Sequence, residues 1–111
     1  MTEAEFTTQV IATARMFGWT TAHFRPALTK HGWRTAVQGD GKGFPDLVLL
    51  HVERGELWFR ELKVGKGRPT DEQRAWGEQL AAAGQDFAVW RDTDWDAIVV
   101  ELSAGRARVG A

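Results

Sequence analysis

The chain has 111 residues, 43% of them hydrophobic, enough for one buried core and too few for two. It has no cysteine, and His23, His31 and His51 lack zinc-motif spacing, which excludes a disulfide framework and metal chemistry built on soft ligands. Fourteen basic residues against fifteen acidic ones leave a net charge of −1, so any attraction to nucleic acid has to come from local segments.

In chain order, "TEAEFTTQVIATARMFGW" opens on a Thr2-x-x-Glu5 capping box. Phe6, Val10, Ala14 and Phe17 then recur at helical spacing until Gly18 stops the helix. "TTAHF" predicts a short strand. "RPALTKHGWRTAVQGDGKG" carries turn residues and little periodicity, which predicts a long loop. "PDLVLLHV" and "ELWFRELKV" read as strands joined through "ERG" in a hairpin. A second capping box, Thr70-x-x-Gln73, opens "DEQRAWGEQLAAAG", with Gln73, Trp76, Leu80 and Ala83 on one face and Gly84 at its end. "DFAVW" predicts another strand. "DTDWDAIVVELSAG" predicts a last helix, although its Ile-Val-Val run also suits a strand. The expectation is one domain over residues 1–111, without repeats or linkers. Its apolar runs fall well short of a bilayer span and its first residues are acidic, so a soluble, cytoplasmic protein with no membrane partner is expected.

The hairpin carries the chemistry. A turn centred on Glu53 and Arg54 sets Asp46 opposite Glu61, Val48 opposite Phe59 and Leu50 opposite Leu57. The side-chain period of two then gathers Asp46, Val48, Leu50, Leu57, Phe59, Glu61 and Lys63 on one face. Two carboxylates facing each other across a ladder, roughly 5 Å apart at Cβ, repel unless a cation lies between them. Lys63 could supply that charge in a structural salt bridge. A divalent metal accounts for more of the residues: Mg²⁺ takes hard oxygen ligands, is held by one or two carboxylates and substrate phosphate, and turns bound water into a nucleophile. Lys63 would then offset charge developing on the phosphate. Two basic segments flank the pair: Arg25, Lys30, Arg34 and Lys42 against Asp40, and Arg60, Lys63, Lys66 and Arg68 against Glu61.

At these residues the sequence resembles a known family. Gly43-x-Pro45-Asp46, a hairpin, Glu61-x-Lys63, "GKGRPTDEQ", a helix, Gly84 and a strand ending Trp90-Arg91 are similar to the PD-(D/E)XK nuclease fold, and within it to the VRR-NUC group of virus-type replication and repair nucleases. The resemblance implies an α/β, restriction-endonuclease-like core: a central mixed sheet whose hairpin carries the active site, flanked by helices. It implies Asp46 and Glu61 as ligands of Mg²⁺ or Mn²⁺, the backbone carbonyl of Leu62 as a further ligand, Lys63 as the catalytic lysine and Gln73 beside the site. A first-helix glutamate completes the acidic set through water. The candidates are Glu3 and Glu5, and Glu3 is preferred because it shares the inward face of Phe6 while Glu5 is already engaged in a cap.

His23, Arg25, Arg34, Lys42, Lys66 and Arg68 are candidate DNA contacts, each also readable as a solvated surface residue. Trp33 either stacks on a base or packs its loop down. The opposite sheet face, with Leu47, Leu49, Trp58 and Leu62, must be covered by a helix or a second subunit. The resemblance further implies a stand-alone, phage-type enzyme, a homodimer presenting two sites to branched DNA such as a Holliday junction. The expected activity is a divalent-metal-dependent DNA endonuclease; the alternative is a non-catalytic DNA-binding or assembly module of the same fold. RNA as substrate, and exonuclease action, remain open at this stage.

Overall fold

The computed structural model describes residues 1–24, 27–29, 32–34 and 39–104, with the backbone alone at 27–29 and 32–34. The first helix, α1 (Glu3–Met16), starts where its capping box predicts: Thr2 Oγ1 accepts the Glu5 amide at 3.1 Å and Glu5 Oε1 accepts the Thr2 amide at 2.9 Å. Phe6, Val10 and Ala14, spaced by four, form its buried stripe. Gly18, at a φ of 90°, takes the left-handed conformation that ends the helix and turns the chain into β1 (Thr20–His23).

The segment predicted as a long loop contains two short strands, β2 (Ala27–Thr29) and β3 (Gly32–Arg34), paired antiparallel with each other. Three-residue strands are shorter than the alternation that would reveal them, so they escape a periodicity reading. The hairpin strands are β4 (Leu47–His51) and β5 (Glu56–Lys63). Their register is the predicted one, Val48 opposite Phe59 and Leu50 opposite Leu57. The connection spans Val52 to Gly55, with Gly55 N–H on Val52 O at 3.0 Å; Gly55, at a φ of 61°, supplies the positive φ that Glu53 and Arg54 avoid.

The second helix, α2 (Asp71–Ala82), is closed by the Thr70–Gln73 box and crosses over to β6 (Asp86–Arg91), which lies parallel to β5. A parallel neighbour requires such a crossover. The four-stranded mixed sheet has the order β1-β4-β5-β6. After a 3-10 turn at Asp92–Asp94, α3 (Trp95–Ala104) settles the open choice at the Ile-Val-Val run in favour of helix: Ile98 and Leu102, four apart, are both buried.

α1 and α3 cover one sheet face, and Phe6, Val10, Ala14, Ile98 and Leu102 join Leu47, Leu49, Trp58, Leu62 and Trp90 in a single cluster. Within the chain, then, helices cover the face that the sequence left to either a helix or a second subunit. Trp19 Nε1 donates to Leu102 O at 2.9 Å, tying the start of β1 to α3. Arg60 corrects the sequence reading. Counted there among basic residues flanking the acidic pair, it lies on the core face at 0% exposure, between the rings of Trp58 (4.6 Å) and Trp90 (4.9 Å), with Asp86 at 2.9 Å and Glu101 at 3.9 Å. The parity of β5 turns it away from Glu61 and Lys63. The other face is covered by α2 only in part, and Leu50 and Leu57 there remain 40% and 41% exposed.

The α2 face also differs from its predicted form. Its closest approach to the sheet is at Gly77, which is buried, while Trp76 and Leu80 are half-buried and Ala83 is exposed. A Cβ on Gly77 would stand 2.3 Å from the Phe87 ring, so this glycine lets helix and strand approach.

Candidate functional site

All four strands of the main sheet bring distinctive residues to one end. β1 ends in His23, β5 in Lys63 and β6 in Arg91, while Asp46 stands just ahead of β4. α1 precedes β1 through a tight connection, and Phe6 in its early turns meets Trp95 just beyond β6, with ring centroids 6.5 Å apart. The start of α1 therefore reaches the same end of the sheet.

The Pro-Asp pair has a physical reading in this register. Continuing the β4–β5 ladder one step beyond Leu47 and Arg60 sets Asp46 opposite Glu61, and the next step sets Pro45 opposite Leu62. Proline has no N–H to donate, so it cannot bond the Leu62 carbonyl as another residue would. The Leu62 amide, whose ladder acceptor would have been the Pro45 carbonyl, goes to Asp46 Oδ2 at 3.1 Å, and the Asp46 carbonyl accepts the Phe24 amide on the β1 side at 2.8 Å. The ladder opens here, and a carboxylate sits in the opening.

Glu61 is 1% exposed, and among the described residues no donor stands in good hydrogen-bonding geometry to either of its carboxylate oxygens; its close neighbour is Asp46. Its only ion pair there is with Lys63 Nζ, 3.9 Å from Oε2, too long for a hydrogen bond. Burial, reinforced by the Asp46 charge and by a proton shared with the Asp46 side chain and opposed by Lys63, pushes the Glu61 carboxyl up to about 8. A buried polar group left unpaired is costly. Hard, unpaired carboxylate oxygens beside a second carboxylate fit a divalent cation, which would replace the proton Glu61 otherwise holds. The described residues contain no cluster of three or more His, Cys, Asp or Glu of the kind that encloses a metal, so the fit is to an open site completed by water and substrate.

The loop that delivers Asp46 is fixed by aromatic packing that the sequence reading did not single out. Phe44 meets Phe24, Phe59 and Trp76 edge-on, at centroid distances of 5.3, 6.2 and 5.1 Å. Gly43, at a φ of 85°, lies so close to α2 that a Cβ would stand 2.5 Å from the Glu72 carbonyl carbon. Trp76 Nε1 closes the arrangement on Asp40 O at 3.0 Å. The visible signal was an aromatic residue between the glycine and proline of the motif.

The other predicted residues are placed as follows. Glu3 is exposed, and its carboxylate enters no hydrogen bond or ion pair among the described residues, whereas Glu5 is engaged in the α1 cap. Gln73 is half-buried and its Oε1 accepts the Thr70 amide at 2.8 Å, so the predicted cap is real. His23 pairs with Leu47 and therefore lies on the α1 side of the sheet, the face opposite Lys63. Lys42 pairs with Glu72 at 3.2 Å; Lys66 and Arg68 are exposed in the segment after Lys63. Arg25 lies outside the described residues, as do the side chains of Trp33 and Arg34. Arg91 and Asp92, unremarked as site residues in the sequence, stand beside Lys63 at the end of β6.

A mixed sheet flanked by helices, whose antiparallel hairpin brings Asp46, Glu61 and Lys63 to one end, defines a nuclease of the PD-(D/E)XK superfamily. The model of the VRR-NUC domain matches residues 13–93, and the chain belongs to that family. The matched span contains the hairpin and α2 but begins after Glu3. No curated protein and no solved structure matches the chain. Among the described residues no helix is long and apolar enough to cross a membrane.

Proposed function

We propose that the chain is a divalent-metal-dependent DNA endonuclease that hydrolyses phosphodiester bonds with Mg²⁺ or Mn²⁺. The observation that carries this reading is the buried Glu61 carboxyl set against a second carboxyl, that of Asp46, with Lys63 as its only ion-pair partner among the described residues. A bound divalent cation supplies Lewis-acid polarisation of the phosphate and a water molecule of lowered pKa. Asp46 and Glu61 hold it, and Asp46 stays oriented by the Leu62 amide. The Leu62 carbonyl, which Pro45 has no N–H to bond, would serve as a further ligand. Lys63 stabilises charge on the phosphate or orients the attacking water. Glu3 contributes through water from the start of α1, and Gln73 lines the site from the first turn of α2.

Residues 1–111 act as a single nuclease domain, in the cytoplasm of the cell or of a phage-infected host. His23, Arg25, Arg34, Lys42, Lys66 and Arg68 contact the DNA backbone, and the preferred substrates are branched, such as a Holliday junction met in phage replication, recombination or repair. The homodimer implied by the family resemblance would place its interface on the sheet face that α2 leaves partly open, where Leu50 and Leu57 are half-exposed.

The test is strand scission on labelled duplex, flap, single-stranded and four-way-junction DNA with Mg²⁺, Mn²⁺ or EDTA, alongside Asp46→Ala. Cutting that needs metal and is lost in the variant is expected. DNA binding without scission under any metal would replace this reading with a non-catalytic binding module.

A further inference from the structure

The segment after Lys63 is exposed, yet its backbone is tied at several points. Gly67 N–H bonds Val64 O at 3.0 Å, closing a turn, and Gly65 at its first central position has a φ of 55°. Positive φ at that position alone is the type II′ geometry, with Lys66 at the second central position. Two further ties come from the end of β6. Arg91 Nη1 donates to Gly65 O at 3.2 Å and to Gly67 O at 2.5 Å, and Asp92 Oδ1 accepts the Gly65 amide at 2.9 Å. An arginine and an aspartate adjacent in sequence thus grip a glycine turn 24 to 27 residues earlier, from both its carbonyl and its amide side. The same Arg91 is the cross-strand neighbour of Lys63 in the parallel β5–β6 pair, so the grip lies next to the reactive end of β5.

A glycine turn on the surface is ordinarily free to sample many conformations, and ordering it on binding would weaken the contact it makes. Nothing in the turn itself needs four hydrogen bonds: Lys66 and Arg68 are exposed and Gly65 has open space around it. What the bonds fix is where the backbone of Lys66, and with it the root of its side chain, stands relative to Lys63. We infer that Arg91 and Asp92 form a clamp that pre-orders the Gly65–Gly67 turn, so that Lys66 meets a backbone phosphate of the polynucleotide flanking the one held at Asp46, Glu61 and Lys63. Arg91 is a positioning residue: its guanidinium serves the turn, and Lys66 makes the phosphate contact. The inference rests on the nuclease reading for the identity of the ligand, and its test does not require cutting.

The experiment measures binding of the full chain to a labelled flap DNA in EDTA across a series of salt concentrations, for wild type, Lys66→Ala, Arg91→Ala, Asp92→Ala and the Lys66→Ala/Arg91→Ala pair. Loss of one phosphate contact reduces the slope of log K against log salt by about 1. Lys66→Ala is expected to lose that amount. Arg91→Ala and Asp92→Ala are expected to lose up to the same amount although neither removes Lys66, and the double variant is expected to lose no more than Lys66→Ala alone. Additive losses would show that Arg91 touches phosphate itself, and unchanged slopes in both clamp variants would show that the turn needs no clamp; either overturns the inference. So does a wild type that does not bind DNA. If Arg91→Ala does not fold, Asp92→Ala, which removes a separate tie, decides. A wild type that binds but cuts under no metal removes the nuclease reading and leaves the clamp standing; cutting without the coupled slopes does the reverse.

Discussion

Asp46 and Leu62 are joined across the open end of the β4–β5 ladder by a side chain: Asp46 Oδ2 accepts the Leu62 amide at 3.1 Å, at the step where Pro45 has no N–H to give. One carboxylate thereby does two things. It ends the ladder without leaving an amide unpaired, and it remains beside the buried Glu61. Asp46→Asn can keep the hydrogen bond to Leu62 through its amide oxygen but loses the charge. Cleavage is expected to fall by more than the ~10–100-fold typical of an outer-shell partner, in a chain that still folds cooperatively. Wild-type cutting by this variant would remove Asp46 from the chemistry.

Pro45 offers a second, backbone-level test. Pro45→Ala supplies an N–H opposite the Leu62 carbonyl, allowing the ladder to close over an oxygen that the proposed metal needs. The expected result is a lower affinity for Mg²⁺ or Mn²⁺, read by the metal concentration giving half-maximal cleavage, in a chain that still folds. Metal affinity equal to wild type would mean that the Leu62 carbonyl is not a ligand.

Glu61 makes the metal-free fold sensitive to pH. Its carboxyl is pushed up to about 8 from an ordinary value of 4.5, chiefly by burial. The folded chain therefore keeps a proton that the unfolded chain releases. The associated stability is fully present below the unfolded value and is lost as pH rises through the folded one, between 4.5 and about 8. In EDTA, denaturant midpoints of wild type relative to Glu61→Gln should decline across that window. Adding Mg²⁺ should restore wild type most at the alkaline end, because the cation takes the place of the proton. A parallel pair of pH profiles would contradict the raised value.

Arg60 is held on the core face by Asp86 and Glu101 and by two indole faces. Removing one partner of a buried ion pair leaves the other uncompensated, which costs about 3–5 kcal/mol. Arg60→Ala is expected at the lower end of that range, since the Asp86 side chain is 20% exposed and Glu101 36%. Equilibrium urea unfolding reads it directly. Arg60→Lys should recover only part, because a compact ammonium cannot both reach Asp86 and keep the contact that the delocalised guanidinium makes with the Trp58 and Trp90 rings.

Gly77 sets the distance between α2 and β6. Ala is ordinarily the better helix former, yet here its methyl would meet the Phe87 ring at 2.3 Å. Gly77→Ala is therefore expected to destabilise by about 1–3 kcal/mol, the range for overpacking. Pairing it with Phe87→Leu should recover part of that loss in the same unfolding measurement.

Much of the geometry of the candidate site was legible because it is written in short-range regularities. The two capping boxes, the glycine that ends α1 and the alternation along β4 and β5 each depend on residues a few positions apart, and these alone put Asp46 opposite Glu61 and Lys63 on the same face. What the sequence by itself determined is therefore the register of the hairpin and its acidic end. The tertiary structure decided the rest. Strand parity turns Arg60 inward, but only Asp86 and Glu101, 26 and 41 residues later, make a charge there tolerable. The glycine turn carrying Lys66 reads as a loose loop until Arg91 and Asp92 arrive beside it on a parallel strand. The helical state of the Ile-Val-Val run was likewise decided by the core against which Ile98 and Leu102 pack. The physical reason is common to all three: the free energy of a buried charge, a tied loop or an apolar face is set by partners distant in sequence, and local periodicity carries no record of which partner comes to hand.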